Sequence, residues 1–407
     1  MSLRQSLSVR ESLAQSGADA RCAEIELLLL GSRPHPDQYA WTRISALATG
    51  GLDWGYVTRQ AVHHGTAALL YSNLCKAGVP AHAVELAQLK RIATDAANRS
   101  LYLFGELLRI TAALEHAGIP AMPLKGPILA VTAYGDVSLR DFSDIDILVG
   151  EQDLHRARDV LLRLNFRCRH HKNWVEPYLL FGHELDFISP DNAVQVDLQW
   201  RFAKKWLSLP VDPIGVWSDV RSTTVAGQIL RQPSPEANLL VLCGHGYRHA
   251  WSRLKWIMDI SAFVHRYRDE LDTTRLIAHA RARGGLRLLS VAVWLAREVG
   301  GSAMGTLLER CCNEDGTVER LGRSIKNGLF AESSTGPRGS GGFLHTIVFH
   351  WLARERLKEK LPSARPLLTH AAYILRRQVR HHFDQLSRPS HQTDVSARPT
   401  TQLPPEG

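Results

Sequence analysis

The sequence predicts an α+β protein, with a small mixed-sheet core over residues 119–205 between helical regions at 1–118 and 206–385 and a disordered tail at 386–407. Three observations predict it. Apolar residues recur at helical spacing before Gly118 and again from Pro233 onward. Between them lie short apolar or alternating runs, at 121–124, 145–149, 182–189 and 193–200, of the length and pattern of strands. After Leu386 the chain is rich in Pro, Ser and Thr and nearly without apolar side chains, so it cannot build a core. At 407 residues the chain exceeds the usual single-core size.

The helical elements follow in order. A short helix is expected over 24–30, and Asp53 caps a second that starts at Trp54 and runs past Leu70 to Cys75, where Gly78 and Pro80 stop it. His63, His64 and Gly65 interrupt that helix and read as packing residues. The run 82–116 keeps helical spacing through Leu86, Leu89, Leu101, Leu108 and Leu114 and closes at Gly118 and Pro120. Within the core, 152–164 is an amphipathic helix, Phe166 to Arg169 a strand, and the runs at 182–189 and 193–200 a hairpin turning over Pro190-Asp191-Asn192. A further helix follows Pro235 and carries His245 and His249, one turn apart. That spacing can bind zinc, but no Glu follows the first His and no third ligand is evident. Trp251 and Trp256 read as core.

Composition narrows the function classes. Residues 1–17 lack the apolar segment of a signal peptide, and no run approaches the roughly 18 apolar residues a membrane span needs, so a cytoplasmic protein without a span is expected. Six cysteines (Cys22, Cys75, Cys168, Cys243, Cys311, Cys312) show no CxxC spacing and read as reduced thiols. The net charge of +9 suits phosphate-rich ligands without indicating nucleic acid. Between Trp351 and Gln385, eight Lys and Arg stand against three acids; this reads as a solvated helical face rather than an anion-binding surface.

The chemistry concentrates between Ala121 and Gly150. Asp144 and Asp146 are two apart in a strand, so both carboxylates project to one face, opposite Ile145 and Ile147. Alone, an Asp-X-Asp is more often two solvated acids at a strand edge. Paired carboxylates repel unless a cation lies between them, and hard oxygen ligands suit Mg²⁺ held together with substrate phosphates. A strand at 121–124, a turn at Lys125-Gly126 and a helix opening at Pro127 precede the pair, and such a unit can cradle a phosphate with its free backbone N–H groups. On the later strand Val194, Val196, Leu198 and Trp200 face one way, leaving Asp197 on the other side with Gln195 and Gln199. Glu184 and Asp186 on the preceding arm compete with Asp197 for a third acidic position, and His183 is placed to face the same site.

These segments, Leu124-Lys125-Gly126-Pro127, Tyr134-Gly135-Asp136 with Arg140, Ser143-Asp144-Ile145-Asp146, Asp197-Leu198-Gln199-Trp200, and His245, His249, Trp251, Leu254, Trp256 and Asp259, resemble the bacterial family of uncharacterised nucleotidyltransferases in the DNA polymerase β-type superfamily. The resemblance implies a polymerase-β-like core in which Asp144, Asp146 and Asp197 hold two Mg²⁺ and catalyse transfer of a nucleoside monophosphate from a nucleoside triphosphate to an acceptor hydroxyl. It implies that Lys125, Gly126, Arg140 and Ser143 bind the nucleotide, with Arg140 on the leaving group. The superfamily's usual Gly-Ser turn is Lys125-Gly126 here, and an alternative alignment puts Gly135-Asp136 in its place. Nothing in the flanks names the acceptor, whether a small molecule, a peptide or a protein. The alternatives are a non-catalytic nucleotide-binding regulatory module and an enzyme that modifies RNA ends; RNA is not favoured, because no recognition motif with interleaved aromatics is present.

Overall fold

The computed structural model describes residues 21–79, 84–169, 182–202, 213–302, 304, 316–331 and 349–354. The lead-in to residue 20, Cys311 and Cys312, the basic segment from Glu355 onward and the tail at 386–407 lie outside the described residues.

The N-terminal part is helical, as expected, in five helices: α1 (Cys22–Gly31), α2 (Gln38–Ala48), α3 (Trp54–His64), α4 (Ala67–Lys76) and α5 (Val84–His116). Asp53 caps α3 by accepting from the Tyr56 amide. The single helix expected from Trp54 to Cys75 is two, because Gly65 takes φ 67°, a left-handed cap that ends α3. The helix α2 was not expected, although Asp37 caps it through the Ala40 amide at 2.8 Å.

The core follows as β1 (Ala121–Leu124), a single turn α6 (Gly126–Leu129), β2 (Asp144–Val149), α7 (Leu154–Arg163), β3 (Arg167–Cys168), β4 (Glu184–Ile188) and β5 (Gln195–Gln199). They form one five-stranded mixed sheet in the order β1-β2-β5-β4-β3. Its central pair, β2 and β5, is parallel, with Asp144 beside Gln195 and Asp146 beside Asp197. The β4–β5 hairpin is antiparallel and sets Asp186 opposite Asp197 and Glu184 opposite Gln199.

The remainder is α8 (Pro213–Trp217), β6 (Val220–Val225), β7 (Gln228–Pro233), α9 (Pro235–Arg248), α10 (Leu254–Tyr267), α11 (Thr273–Ala282), α12 (Leu286–Glu298) and α13 (Gly316–Gly328). The region expected to be helical from 206 therefore contains an antiparallel two-stranded sheet, β6 with β7, after the short α8. Its alternation is weak: Ile229 is exposed, and the apolar residues thin out among Arg, Ser, Thr and Gln. Among the described residues no helix is long and apolar enough to cross a membrane, and Cys22, Cys75, Cys168 and Cys243 form no disulfide with one another.

Alternation divides the sheet into two faces. Ile145, Ile147, Val196, Leu198, Leu185 and Phe187 pack with Leu103, Leu107, Ile110 and Leu114 of α5 and with Ala157, Val160 and Leu161 of α7. On the other face Met122, Leu124 and Leu148 pack with Val216 and with Val241 of α9, and the rest of that face is polar. The helices on either side of the core in sequence share one apolar cluster, from Ile25 and Leu70 to Leu240, Ile257 and Leu289.

The turn between α9 and α10 is tight. Ala250 and Trp251 both take left-handed backbone conformations, at φ 49° and 53°, each costing about 1–2 kcal/mol for a residue with a Cβ. Full burial of the Trp251 ring against Gly246 offsets this: a Cβ on Gly246 would lie 2.4 Å from the ring. Gly246→Ala should therefore destabilise the protein by about 1–3 kcal/mol, the usual cost of overpacking. Denaturant unfolding measures this, with an unchanged midpoint as the contrary result.

Candidate active site

Alternation on three neighbouring strands brings five acids to one face of the sheet: Asp144 and Asp146 from β2, Asp197 from β5, Glu184 and Asp186 from β4. Asp146 and Asp197 are buried, Asp144, Glu184 and Asp186 half-buried. The Lys125 ammonium ion-pairs with Asp146 Oδ1 at 2.8 Å with both side chains buried, and Gln199 Nε2 donates to the same oxygen at 2.6 Å. Gln199 also reaches Glu184 Oε2 at 3.3 Å. Glu184, Asp186 and Asp197 can each offer a carboxylate oxygen within 4.8 Å of the others. Asp197 thus sits in register between Asp146 and Asp186, within reach of both Glu184 and Asp186, which the sequence sets in competition with it.

Burial and neighbouring charge raise the proton affinity of Asp197, Asp144 and Glu184. Burial first, then the Asp146 charge, push Asp197 up to about 7, against the opposing hydrogen bond from Gln195 at 3.1 Å. Asp144 is raised by burial and by Asp146, while Lys125, Lys255 and Arg140 oppose the shift. Glu184 is raised by burial, with Arg248 opposing. The face fits a hard divalent cation: the donors are carboxylate oxygens gathered from three strands, and a lysine ammonium already stands against Asp146.

The turn before β2 is built on backbone freedom. Lys125 and Gly126 take φ 45° and 35°, and a Cβ on Gly126 would lie 3.3 Å from the Asp144 carbonyl oxygen, so the turn approaches the start of β2 closely. Pro127 lies in the first turn of α6, as expected, but α6 lasts four residues before the chain widens into a π turn over Ala130–Tyr134. Ser143 is exposed just before β2. Gly135, the alternative turn, is exposed in a left-handed conformation, and Asp136 caps the next short turn through the Ser138 amide.

Arg140, expected on the leaving group, is engaged elsewhere. It is buried and donates from Nε and Nη2 to both carboxylate oxygens of Asp259 in α10, at 2.7 and 2.8 Å. Tyr134 donates to the same carboxylate at 2.9 Å, and Arg140 Nη1 reaches the Gly126 carbonyl at 3.5 Å. The guanidinium is consumed by a bidentate pair and positions the Lys125-Gly126 turn from behind.

The helical flank closes over the acids. Arg248 Nη1 lies 3.2 Å from His183 Nε2, which is 3.3 Å from Glu184 Oε2. His249 stacks on Trp256 with ring centroids 4.6 Å apart, and His245 meets His249 edge-on. Burial, then Arg248 and Lys125, hold His249 down at about 3, and burial with Lys125 depresses His245 further, so both rings are neutral at neutral pH. His64 is a packing residue, as expected: it is buried, and its Nδ1 accepts from the Leu254 amide at 3.3 Å. Sequence reading passed over Gln199, Arg248 and Lys255. The strand period did signal Gln199, since it shares a side with Asp197; nothing short of the tertiary fold signals the other two.

A sheet face lined with carboxylates, a phosphate-sized glycine turn and a helical flank with cations define a nucleotidyl-transferring enzyme, a transferase of phosphorus-containing groups. Residues 50–301, more than half of the chain, match the model of the uncharacterised nucleotidyltransferase family, and the chain belongs to that family. No curated relative matches the sequence. Among solved structures, the chain is similar to the antibiotic-resistance factor ANT(2'')-Ia at 16% identity, covering 44% of this chain and 91% of that one with a TM-score of 0.31. It is similar also to an antigenic nucleotidyltransferase-like protein from Paracoccidioides brasiliensis at 12% identity, covering 47% and 91% with a TM-score of 0.26.

The Arg140–Asp259 pair yields a stability test. Breaking a buried pair by removing one partner strands a charge and costs about 3–5 kcal/mol, whereas replacing both by apolar groups costs much less. Asp259→Ala should show that loss in denaturant unfolding, and Arg140→Met combined with Asp259→Leu should recover most of it. Additive losses in the double variant are the opposite outcome.

Proposed function

We propose that the protein is a Mg²⁺-dependent nucleotidyltransferase that moves a nucleoside monophosphate from a nucleoside triphosphate to a hydroxyl of a small-molecule, peptide or protein acceptor. The observation that carries this reading is the register of the central strands, which sets Asp144 and Asp146 beside Asp197 on one buried, acid-crowded face. Asp144, Asp146 and Asp197 would hold Mg²⁺, which supplies neutralisation of charge on the phosphates.

This chain's own groups do the rest. Lys125, paired with Asp146, would turn to a phosphate oxygen where a cation satisfies that carboxylate. Gly126 lets the backbone approach the phosphates, and Ser143, at the mouth, is within the same turn-to-strand passage. Gln199 keeps Asp146 oriented whichever cation it faces. Asp197, in register with Asp146 at the centre of the acid face, would accept the proton of the acceptor hydroxyl. In the reaction the acceptor oxygen bonds to the α-phosphorus, the bond to the pyrophosphate oxygen breaks, and the hydroxyl proton passes to Asp197.

Asp144→Asn and Asp146→Asn should each abolish nucleotide transfer while the circular dichroism spectrum stays native; full activity in either sinks the assignment. Labelled nucleoside triphosphates incubated with Mg²⁺ and cell extract, followed by mass analysis of what acquires a nucleotide, provide the assay. Asp197→Ala should leave Mg²⁺-nucleotide affinity nearly intact and cut turnover by about 10²-fold or more, with Glu184→Ala and Asp186→Ala doing much less. A dead Glu184 or Asp186 variant beside an active Asp197 variant would move the third carboxylate to β4.

Asp197 also makes stability depend on pH. Its folded pKa, about 7, lies above the unfolded value of about 4, so the folded state holds the proton more tightly and loses that advantage as pH rises through this window. In metal-free protein, Asp197→Asn should raise the melting temperature more at about pH 8 than at about pH 5. An equal shift at both would place the raised proton affinity on another acid.

A further inference from the structure

The proposed mechanism leaves Lys255 without a task. It sits in the first turn of α10, directly after the tight turn that Trp251 anchors, and is half-buried. Its aliphatic stem lies against the left-handed cap of α3, where a Cβ on Gly65 would come within 2.6 Å of Lys255 Cδ. The ammonium has no hydrogen-bond or ion-pair partner among the described residues. The acids near it are already engaged: Asp259 by Arg140 and Tyr134, Asp141 by Arg99 at 2.7 Å, and Asp146 by Lys125.

Its position relative to the acids follows from the helix. Lys255 precedes Asp259 by four residues, so the two share a face of α10. That face is the one turned to Arg140, whose guanidinium reaches the Gly126 carbonyl. Lys255 thus stands on the helical wall across from the Lys125-Gly126 turn, on the face of α10 whose Asp259 holds Arg140 against that turn. Removal from water and the like charges of Arg140 and Arg253 disfavour the ammonium there. A half-buried cation without a counter-ion, held straight by packing along its stem, is an anion site whose anion comes from outside the chain.

We propose that Lys255 forms a second phosphate subsite, on the helical wall, which takes the β- and γ-phosphates of the nucleotide while the Lys125-Gly126 turn takes the phosphate nearer the sheet. The assignment of a nucleotide, though not of a polyphosphate, rests on the nucleotidyl-transfer reading above. Its reason is charge: five acids line the sheet face, Arg140 is spent on Asp259, and a triphosphate needs a further cation from the opposite wall. The subsite would also recognise triphosphate over monophosphate, and so commit the enzyme to substrates with a pyrophosphate leaving group.

The full chain tests this by titration calorimetry with three probes in the presence of Mg²⁺: a non-hydrolysable nucleoside triphosphate, the matching monophosphate, and inorganic tripolyphosphate. Lys255→Met keeps the stem against Gly65 and removes the charge. It should weaken the triphosphate and tripolyphosphate by about tenfold or more and the monophosphate by less than about twofold, and Lys255→Arg should restore most of the loss. Without ligand, Lys255→Met should melt at or above the wild-type temperature, because an unpaired charge has been taken out of a half-buried place; lost binding then cannot be lost folding. Unchanged triphosphate and tripolyphosphate affinities in Lys255→Met, with transfer intact in the wild type, overturn the subsite alone. Tripolyphosphate affinity that depends on Lys255 in a protein that transfers no nucleotide upholds the subsite and overturns the reaction. Wild-type protein that binds none of the three probes overturns both.

Discussion

Two charges removed from water, Arg140 and Asp259, hold the molecule's working parts in register. Each alone would be prohibitive in that position; together, with the Tyr134 hydroxyl on the same carboxylate, they are satisfied. The pair spans 119 residues of sequence and joins the loop before β2 to α10 of the C-terminal flank. Because Arg140 also reaches the Gly126 carbonyl, the same contact sets the height of the glycine turn above the start of β2. The sheet, the turn and the helical wall are therefore one mechanical unit whose geometry depends on a single bidentate contact.

The sheet face is arranged on the opposite principle. Its acids are brought together with fewer cations than charges, and the deficit appears as raised proton affinity at Asp197, Asp144 and Glu184. Lys125 covers part of the deficit at Asp146 without removing it. A face that is electrostatically unfinished in the protein alone is one that gains free energy when a cation and its phosphate ligand arrive together. Ordering the catalytic groups and binding the substrate become the same event.

How far this could be read in the sequence depended on the range of the interaction. Period-two alternation in β2 and β5 is local, so the facing of Asp144, Asp146 and Asp197 was legible residue by residue, and the register beside each other follows from pairing those strands. The Asp53 cap and the burial of Trp251 and Trp256 were legible for the same reason. The role of Arg140 was not, since its place before the acid pair suggests a phosphate partner and its real partner lies far along the chain. The break between α3 and α4 was visible as Gly65, but helical propensity on both sides masked it. The β6–β7 hairpin left almost no alternating signal because its residues are largely polar.

The shared core of the first and last helices has a consequence for biosynthesis. The His64 ring receives the Leu254 amide across 190 residues, and Leu27, Leu70 and Ile257 lie in one cluster. Contacts of such separation form late, after their loop-closure entropy has been met. On the ribosome the sheet strands are complete once about the first half of the chain has emerged, yet the wall that faces them is still being translated. A nascent chain therefore carries the five clustered acids of the sheet before the helical wall that faces them has been made.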